Sequence, residues 1–449
     1  MIRKNNSKNG RTEKITNIEI TCSQDSDCLD GLVCRNNHCI RDVPQGPTFD
    51  CNCEYNPVYS TLNSEIPNTL PSIIIDHNDY IYVMYRNAIG IQTLAWVARF
   101  KNGVLDTIFG TSGSVSITYP IGANTQIESF IILSNGNFAF LSLDRVWQSN
   151  PNGTVYNGFT PVNMSLYYPP NLTGDQYLVA IPSAGFYAYW YTSGIYNQYI
   201  MKFTPAGVNT SYGTAGVMQY DFGMMILGSN DFSRFQDLKV LQNGSLIVFT
   251  TSYTQLSGNI ERPLIVKLTP DGTLDTSFGT NGYVFYIDSP SMINTWSAIG
   301  AIAPDGSIYV AGWGPYDINV NYDEASLVLK FTPDGVLDTT WADSGTFVYF
   351  FPDRYAEITS MSVEPCGSLI LAVPFYEANP PYANAIHILR LDTQGVINPA
   401  YPIFIPEAYL NYKLATITGS GLEGNPLNYS ILIIDDVTQD YRVHNFVCE

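Results

Sequence analysis

One short stretch recurs along this chain and constrains its fold more than any other feature. Its fullest copy spans 268–284 and contains Pro270-Asp271-Gly272-Thr273-Leu274-Asp275-Thr276-Ser277-Phe278-Gly279. Close copies lie at 100–113 and 331–345, and weaker ones begin near 203 and 391. The glycines of successive copies are 50 to 65 residues apart: Gly103, Gly153, Gly207, Gly272, Gly335 and Gly395. A recurring period of this size is typical of repeat architectures.

A second turn signal alternates with the first. It is clearest at Pro304-Asp305-Gly306, between two apolar segments, and recurs at Asn78-Asp79, Asn135-Gly136, Ala184-Gly185, Asn243-Gly244, Cys366-Gly367 and, loosely, Gly424-Asn425. Asn or Asp followed by Gly supplies the positive φ angle of a tight hairpin. No stretch after about residue 58 has convincing helical periodicity. Four strands in each unit of roughly 60 residues predict the blades of a β-propeller.

The Pro-Asp-Gly-Thr-Leu-Asp-Thr-Ser-Phe-Gly run resembles the Delta-60 repeat family of propellers. The resemblance implies a fold and leaves the activity open, because propellers perform many functions. The repeated Asp residues are interpreted as scaffold, since packing explains a residue present in every unit and a single active site does not. Phe109, Phe278 and Trp341 are expected to wedge between neighbouring units.

Closure of the ring sets the expected number of blades. The last unit, 414–448, supplies three clear strands, and a segment near Val58 to Leu62 is expected to add the missing outer strand. We therefore predict an all-β protein, a seven-bladed β-propeller of four-stranded blades, preceded by a small disulfide-rich N-terminal module. The expected boundaries are a polar tail at 1–20, a cysteine-rich module at 21–57 and the propeller at 58–449.

Six of the eight cysteines lie within 32 positions: Cys22, Cys28, Cys34, Cys39, Cys51 and Cys53. A segment this short cannot bury enough apolar surface to fold alone, so it needs disulfides or a metal. Three disulfides are favoured over zinc, because the one close pair, Cys51-x-Cys53, is too tight for a zinc site. Calcium binding by Asp25, Asp27 and Asp30 is less favoured than acidic turns, since the twelve-residue ligand loop is missing.

The remaining two cysteines, Cys366 and Cys448, fall in neighbouring predicted blades at the same end. We predict a disulfide between them. The competing prediction pairs Cys448 with Cys51 or Cys53.

Both turn signals are expected on one face of the disc, which leaves the variable loops on the other. Those loops are rich in aromatic residues, which suit contacts with proteins or sugars. The candidate interaction residues are Tyr191, Tyr196, Trp313, Tyr316, Tyr322, Phe375, Tyr376 and Tyr382. The alternative is that these are simply ordered surface loops.

No catalytic, metal-binding or cofactor motif stands out. The four histidines, His38, His77, His387 and His444, lie far apart in the chain and show no metal-ligand spacing. We therefore expect no cofactor, no metal and no enzymatic activity. Carboxylates that converge at the mouth of the central channel are the enzymatic alternative, because such a site leaves no linear motif.

Charge and hydropathy narrow the expected partners. A net charge of −19 opposes nucleic-acid binding, since phosphates would be repelled. No apolar run approaches the roughly 20 residues that a membrane helix needs, so membrane insertion is not expected. Residues 1–19 lack the apolar core of a secretory signal, so we expect the disulfides to form by another route into an oxidising environment.

The Asn-, Ile- and Tyr-rich, Lys-poor composition with a cysteine-rich N-terminus is similar to that of outer-layer and fibril proteins of giant DNA viruses. This resemblance implies a non-enzymatic, self-assembling structural protein at a virion surface or outside the cell, with itself as partner and cross-linked through its cysteines. A glycan-binding propeller that uses the aromatic loops is the first alternative. A propeller hydrolase or lyase is the second.

Overall fold

The structure is a computed structural model of the 449-residue chain. It describes residues 32–35, 38–41, 53–56, 61–62, 72–75, 80–89, 92–101, 104–120, 127–167, 176–181, 185–191, 197–222, 232–254, 260–286, 296–315, 324–350, 354–356, 358–364, 366–377, 385–398, 403–406, 416–419, 428–434 and 441–448. The rest of the predicted tail and cysteine-rich module lies outside these ranges.

The described elements are almost all β-strands. The N-terminal region contributes β1 (Leu32–Arg35), β2 (His38–Arg41), β3 (Cys53–Asn56) and β4 (Thr61–Leu62). Blade 1 contains β5 (Ser72–Ile75), β6 (Tyr80–Ile89), β7 (Gln92–Lys101), β8 (Val104–Leu105) and β9 (Ser114–Ser116). Blade 2 contains β10 (Ile127–Ile132), β11 (Phe138–Ser142), β12 (Arg145–Ser149) and β13 (Val162–Asn163), followed by a short 3-10 helix (Met164–Leu166).

Four more blades follow in chain order. Blade 3 contains β14 (Gln176–Ala180), β15 (Phe186–Tyr191), β16 (Gln198–Thr204), β17 (Gly207–Val208) and β18 (Val217–Tyr220). Blade 4 contains β19 (Phe232–Val240), β20 (Leu246–Thr254), β21 (Ile260–Leu268) and β22 (Tyr283–Phe285). Blade 5 contains β23 (Trp296–Ile302), β24 (Ile308–Pro315), β25 (Glu324–Phe331) and β26 (Thr346–Phe350). Blade 6 contains β27 (Arg354–Ala356), β28 (Ser360–Val363), β29 (Leu369–Glu377), β30 (Ala385–Leu391) and β31 (Ile403–Pro406).

The C-terminal strands are β32 (Thr416–Gly419), β33 (Asn428–Ile434) and β34 (Tyr441–Cys448). They pair with each other, and β34 also pairs with β3 and β4 from the other end of the chain. We call this the terminal sheet. Its first strand, β32, lies beside β28 of blade 6 and β5 of blade 1, so the terminal sheet lies between these two blades.

The expectation of seven four-stranded blades is wrong. Six blades are each formed from one continuous stretch of chain, and three of these six have five strands. The terminal sheet is a composite of the two chain ends, because the last stretch of chain has only three strands to contribute. The strand expected near Val58 to Leu62 corresponds to β4, but β3, which begins at Cys53 within the predicted cysteine module, pairs with β34 as well.

All described strand pairs are antiparallel, and the first strands of successive sheets lie next to one another around the central axis. Each chain segment enters a blade along this inner strand and moves outward. The turns between first and second strands and between third and fourth strands therefore lie on one face, the turn face. The connections between second and third strands and between blades lie on the other, the loop face.

The core lies between the blades, because each sheet buries both of its sides against its neighbours. At the junction of blades 4 and 5, Phe249 and Ile265 pack against Val310, Leu327 and Leu329. All five are buried. Full burial of such side chains stabilises a fold by about 1.5–3 kcal/mol each. Strands buried on both sides read as nearly continuous apolar runs, as residues 369–375 of β29 do.

Candidate functional site

The repeated stretch forms a compact turn on the turn face of its blade. In blade 4, Gly272 N donates to Thr269 O over 2.9 Å, and Asp275 N donates to Lys267 O over 2.9 Å. The Asp275 carboxylate accepts hydrogen bonds from the Ser277 amide at 3.2 Å and the Ser277 hydroxyl at 2.5 Å. Asp side chains satisfy exposed backbone donors in this way where a chain leaves regular pairing. The acidic and hydroxyl residues of the repeat thus bond to each other within the turn.

The same aspartates form ion pairs with the third strand of their blade. Lys267 Nζ lies 3.2 Å from Asp275 Oδ2, and Lys330 Nζ lies 3.0 Å from Asp338 Oδ2. The Ser277 hydroxyl, together with Lys267, lowers the pKa of Asp275 despite partial desolvation. Burial alone would raise the pKa of Asp338, but the Thr340 hydroxyl and Lys330 outweigh it and lower this pKa. These carboxylates are already engaged in holding the turns.

In blades 3, 4 and 5, the aromatic residue of the repeated turn packs against the glycine of the turn in the next blade. Phe278 is buried, and a methyl group on Gly335 of the following blade would lie 2.8 Å from its ring. Trp341 has the same relation to Gly395. A backbone bond of 2.7 Å from Gly279 N to Asp334 O joins the same two blades. The expected wedge between units is therefore present at these turns.

Blade 6 departs from this pattern. Its third-strand cation, Arg390, pairs with Glu364 of the turn between β28 and β29, with 2.8 Å between Nε and Oε2. Asn398 occupies the position of the turn aspartate. Its backbone N–H donates to Arg390 O over 2.8 Å, as the backbone N–H of Asp275 does to Lys267 O in blade 4. Both Glu364 and Arg390 are buried. A buried charge that lost its partner would be costly, so the two residues depend on each other.

Blade 1 departs in a different way. Its turn carries Asp106 paired with Arg99 at 2.6 Å, but Ile108 replaces the hydroxyl residue two positions after the aspartate. In blades 3, 4 and 5 this position is a Ser or Thr whose hydroxyl donates to the turn Asn or Asp: Ser211, Ser277 and Thr340. Ile108 is 85% exposed, and Val104 in the same turn is 59% exposed. This turn therefore presents an apolar surface in place of a hydrogen bond.

The inner strands carry a third pattern, which links blade 2 to blade 3 and blade 4 to blade 5. Four residues before the first turn of blade 2, the Ser129 hydroxyl accepts from Leu178 N of blade 3 at 3.1 Å. The equivalent residue of blade 4, Asp237, accepts from Gly300 N of blade 5 at 3.1 Å. In blade 3 the residue at this level is Tyr177. The amide of blade 4 that is equivalent to Leu178 N is Leu238 N, and it donates to Asp237 of its own strand at 2.8 Å. The sequence analysis did not identify these inner-strand residues. An alignment of the blades on their first turns would have shown that Ser129, Tyr177 and Asp237 occupy equivalent positions.

Several aromatic residues predicted to lie in loops lie in strands. Tyr191 is the last residue of β15, Trp313 lies within β24, and Phe375 and Tyr376 lie within β29, all toward the loop face. Tyr191 and Trp313 are half-buried. Tyr196, Tyr316, Tyr322 and Tyr382 lie outside the described residues. The structure thus places four of the eight at the loop-face ends of three blades, and their role in binding stays a prediction.

The predicted cysteine pairings stay predictions as well. Cys22, Cys28 and Cys51 lie outside the described residues, while Cys34 and Cys39 stand opposite each other in the β1–β2 hairpin. Cys53 stands opposite Cys448 in the register of β3 and β34. Cys366 is not a free thiol. Its predicted partner belongs to the terminal sheet, whose side chains are not described.

The described ranges contain no group of three or more His, Cys, Asp or Glu side chains placed to hold a metal ion. His387 instead shares a hydrogen bond of 2.8 Å with the Tyr349 hydroxyl. None of the described helices has the length and apolar character to cross a membrane.

Solved structures resemble this chain only in fold. The extracellular domains 1–2 of Drosophila Semaphorin 1a have 10% sequence identity and a TM-score of 0.45, with 89% of this chain and 88% of that chain covered. The polysaccharide lyase Uly1 has 7% identity and a TM-score of 0.48, with 91% and 95% covered. The Penicillium chrysogenum alpha-L-arabinanase has 10% identity and a TM-score of 0.39, with 88% and 98% covered.

No curated protein sequence matches the chain. Two segments, 241–278 and 303–340, match the family described as "Domain of unknown function (DUF5122) beta-propeller". Each segment runs from the first turn of a blade to its repeated turn, in blades 4 and 5 respectively. Together they cover less than half of the chain, and the Delta-60 and viral resemblances stay predictions. The fold and these two matches agree that the chain is a β-propeller protein.

Proposed function

We propose that this chain is a non-enzymatic structural or interaction propeller that associates with further copies of itself through the turn of blade 1. The observation that carries the proposal is the exposed pair Ile108 and Val104. Single exposed apolar residues are common on protein surfaces and need no explanation. Here, however, Ile108 stands where three other blades have a hydrogen-bonding hydroxyl, so the turn forgoes that bond.

A second copy suits this turn better than a charged partner does. The protein carries a net charge of −19, so two copies repel each other wherever their carboxylates meet. In the blade 1 turn the Asp106 carboxylate is paired with Arg99 at 2.6 Å, and the cation Lys101 stands opposite Val104 in the hairpin register. Contact between two such turns would bury four apolar side chains without bringing unpaired carboxylates together.

The setting of this association follows the sequence-based expectation. A virion surface or an extracellular layer would present many copies side by side, and the cysteine-rich N-terminal segment would anchor or cross-link them. Weak contacts between neighbouring copies suit such an array, because many of them act together.

Sedimentation velocity of the full chain in reducing buffer tests the proposal without disulfide-linked species. We expect concentration-dependent association of the wild type and a loss of about tenfold or more in the association constant for Ile108→Ser, since an apolar side chain would leave the contact. The serine restores the repeat's own hydrogen bond to Asp106, so the fold should be retained.

Val336→Thr is the matched control, because Val336 is 61% exposed in the equivalent turn of blade 5. We expect it to associate like the wild type. A wild-type protein that stays monomeric in reducing buffer, or an Ile108→Ser variant that associates as strongly as the wild type, would contradict the proposal.

A further inference from the structure

The inner strand of blade 3 breaks the linking pattern of its neighbours at one residue. Ser129 in blade 2 and Asp237 in blade 4 each accept a backbone hydrogen bond from the next blade at this level. Tyr177 stands at the same level in blade 3 and is 39% exposed. In blade 4 the backbone amide of Leu238 donates to Asp237 on its own strand. Tyr177 is therefore not needed as the acceptor for this amide, and a large aromatic ring stands where blades 2 and 4 have a small polar residue.

The ring of Tyr177 is held in a fixed orientation. It stacks on Tyr189, its cross-strand neighbour, with 5.2 Å between ring centroids and 26° between planes. Tyr189 is itself buried. An exposed aromatic face supported by a buried one is a rigid platform that loses little conformational entropy when a ligand binds.

The next inner strand, β19, contacts β14, the strand of Tyr177, and carries both a hydrogen-bond acceptor and a donor. Asp237 is at the same level as Tyr177, and burial together with the Asp237 charge raises the pKa of the supporting Tyr189. Lys239, two residues further on, lies 2.9 Å from the Asp237 carboxylate and remains partly exposed. The pair offers an acceptor and a donor but is neutral overall.

We propose that Tyr177, Asp237 and Lys239 form a binding site for a neutral saccharide at the inner strands of blades 3 and 4. A pyranose ring has an apolar C–H face that stacks on an aromatic ring, and its hydroxyls both donate and accept hydrogen bonds. A few placed polar groups beside an aromatic surface are typical of small-ligand sites. Phosphate-bearing ligands fit poorly, because the whole protein is strongly acidic. This site is independent of the blade 1 turn.

An array of neutral oligosaccharides and polyuronate fragments, followed by calorimetric titration with the best neutral oligosaccharide, tests this site on the full chain. We expect the wild type to bind neutral glycans. Tyr177→Phe should retain the affinity within about threefold, and Tyr177→Ser should lower it about tenfold or more, because only the phenylalanine keeps the stacking face.

The serine variant is expected to fold, since serine occupies this level in blade 2 and can accept the Leu238 amide. Its thermal unfolding midpoint checks this, and Ile108→Ser should bind glycans like the wild type. Absence of any glycan binding by the wild type, preference for polyuronates, or equal binding by Tyr177→Ser would each overturn the proposed site.

Discussion

Each aspartate of the repeated turn has two structural tasks. Asp275 accepts hydrogen bonds from Ser277 and pairs with Lys267, and Asp338 does the same with Thr340 and Lys330. Such a carboxylate acts as a local cap and as the counter-ion of a strand cation at once. Its recurrence in several blades is what a scaffold requires, whereas an active site would need it once.

The Asp275 carboxylate should therefore make stability depend on pH. Its pKa is lower in the folded than in the unfolded chain. Its contribution is therefore fully present above the unfolded-state value of about 3.9 and is lost as the pH falls through the lower folded-state value. Asp275→Asn should lower the free energy of unfolding by about 1 kcal/mol at pH 7 and by less at pH 3, measured by urea titration.

Asp305→Asn is the control for this prediction. Asp305 accepts the Ser307 amide at 2.9 Å in the first turn of blade 5, and Asn243 does the same for Ser245 in blade 4, also at 2.9 Å. Asparagine can thus replace aspartate there without loss of the bond. An Asp275→Asn deficit that is equally large at both pH values would contradict the ionic part of the account.

Within the turns, two factors favour glycine: a positive φ angle and close contact with the neighbouring blade. The contact between blades excludes other residues more strongly than the φ angle does. Gly335 has a φ of +83°, and a methyl group there would lie 2.8 Å from Phe278 and from Val284 of the preceding blade. Gly136 has a similar φ of +81° but has open space around it. Substituting each glycine by alanine therefore separates the free-energy cost of a positive φ angle from that of a steric clash.

Gly335→Ala should therefore destabilise the protein by about 3 kcal/mol, and Gly136→Ala by about 1 kcal/mol. The common part is the strain of a positive φ, and the difference is overpacking at the blade junction. Urea titration of both variants measures the two values. If the two substitutions cost the same, the packing of Phe278 against Gly335 is not what holds the adjacent blades together.

The turns were predictable from the sequence because their chemistry is local. Gly272 and Gly335 mark positive-φ positions, and Asp275 stands three residues beyond the first of them, where the chain leaves regular pairing. Contacts between blades were not predictable in the same way. Ser129 and Leu178 are 49 residues apart, and Asp237 and Gly300 are 63 apart, so each bond joins one unit to the next.

Two departures from the repeat also escaped prediction, for different reasons. The Glu364–Arg390 pair joins the first turn of blade 6 to its third strand, and no turn motif encodes that contact. The exposure of Tyr177 depends on how the inner strands of blades 3 and 4 pack, which no turn motif encodes. By contrast, Ile108 interrupts the Asp-x-Ser/Thr pattern in the sequence itself, and a comparison of the repeat copies reveals it.

In the whole molecule, the two ends of the chain together close the ring of blades. The terminal sheet joins β3 and β4 to β32, β33 and β34 and lies between blades 6 and 1. As the third strand of its sheet, β34 runs toward the turn face, so Cys448 near its end lies on the same face as the first turn of blade 6, which carries Cys366. A bond between them would fasten the last sheet to blade 6.

We expect a non-reducing peptide map to show a peptide that joins Cys366 to Cys448. The bond would close a loop of 82 residues, for which chain entropy predicts a stabilisation of about 4.5 kcal/mol. Cys366→Ser should then lower the thermal unfolding midpoint in non-reducing buffer and have little effect in reducing buffer. Because Cys53 stands opposite Cys448 in the register, a Cys53–Cys448 peptide is the competing result and would show that the sheet is closed on itself and is not fastened to blade 6.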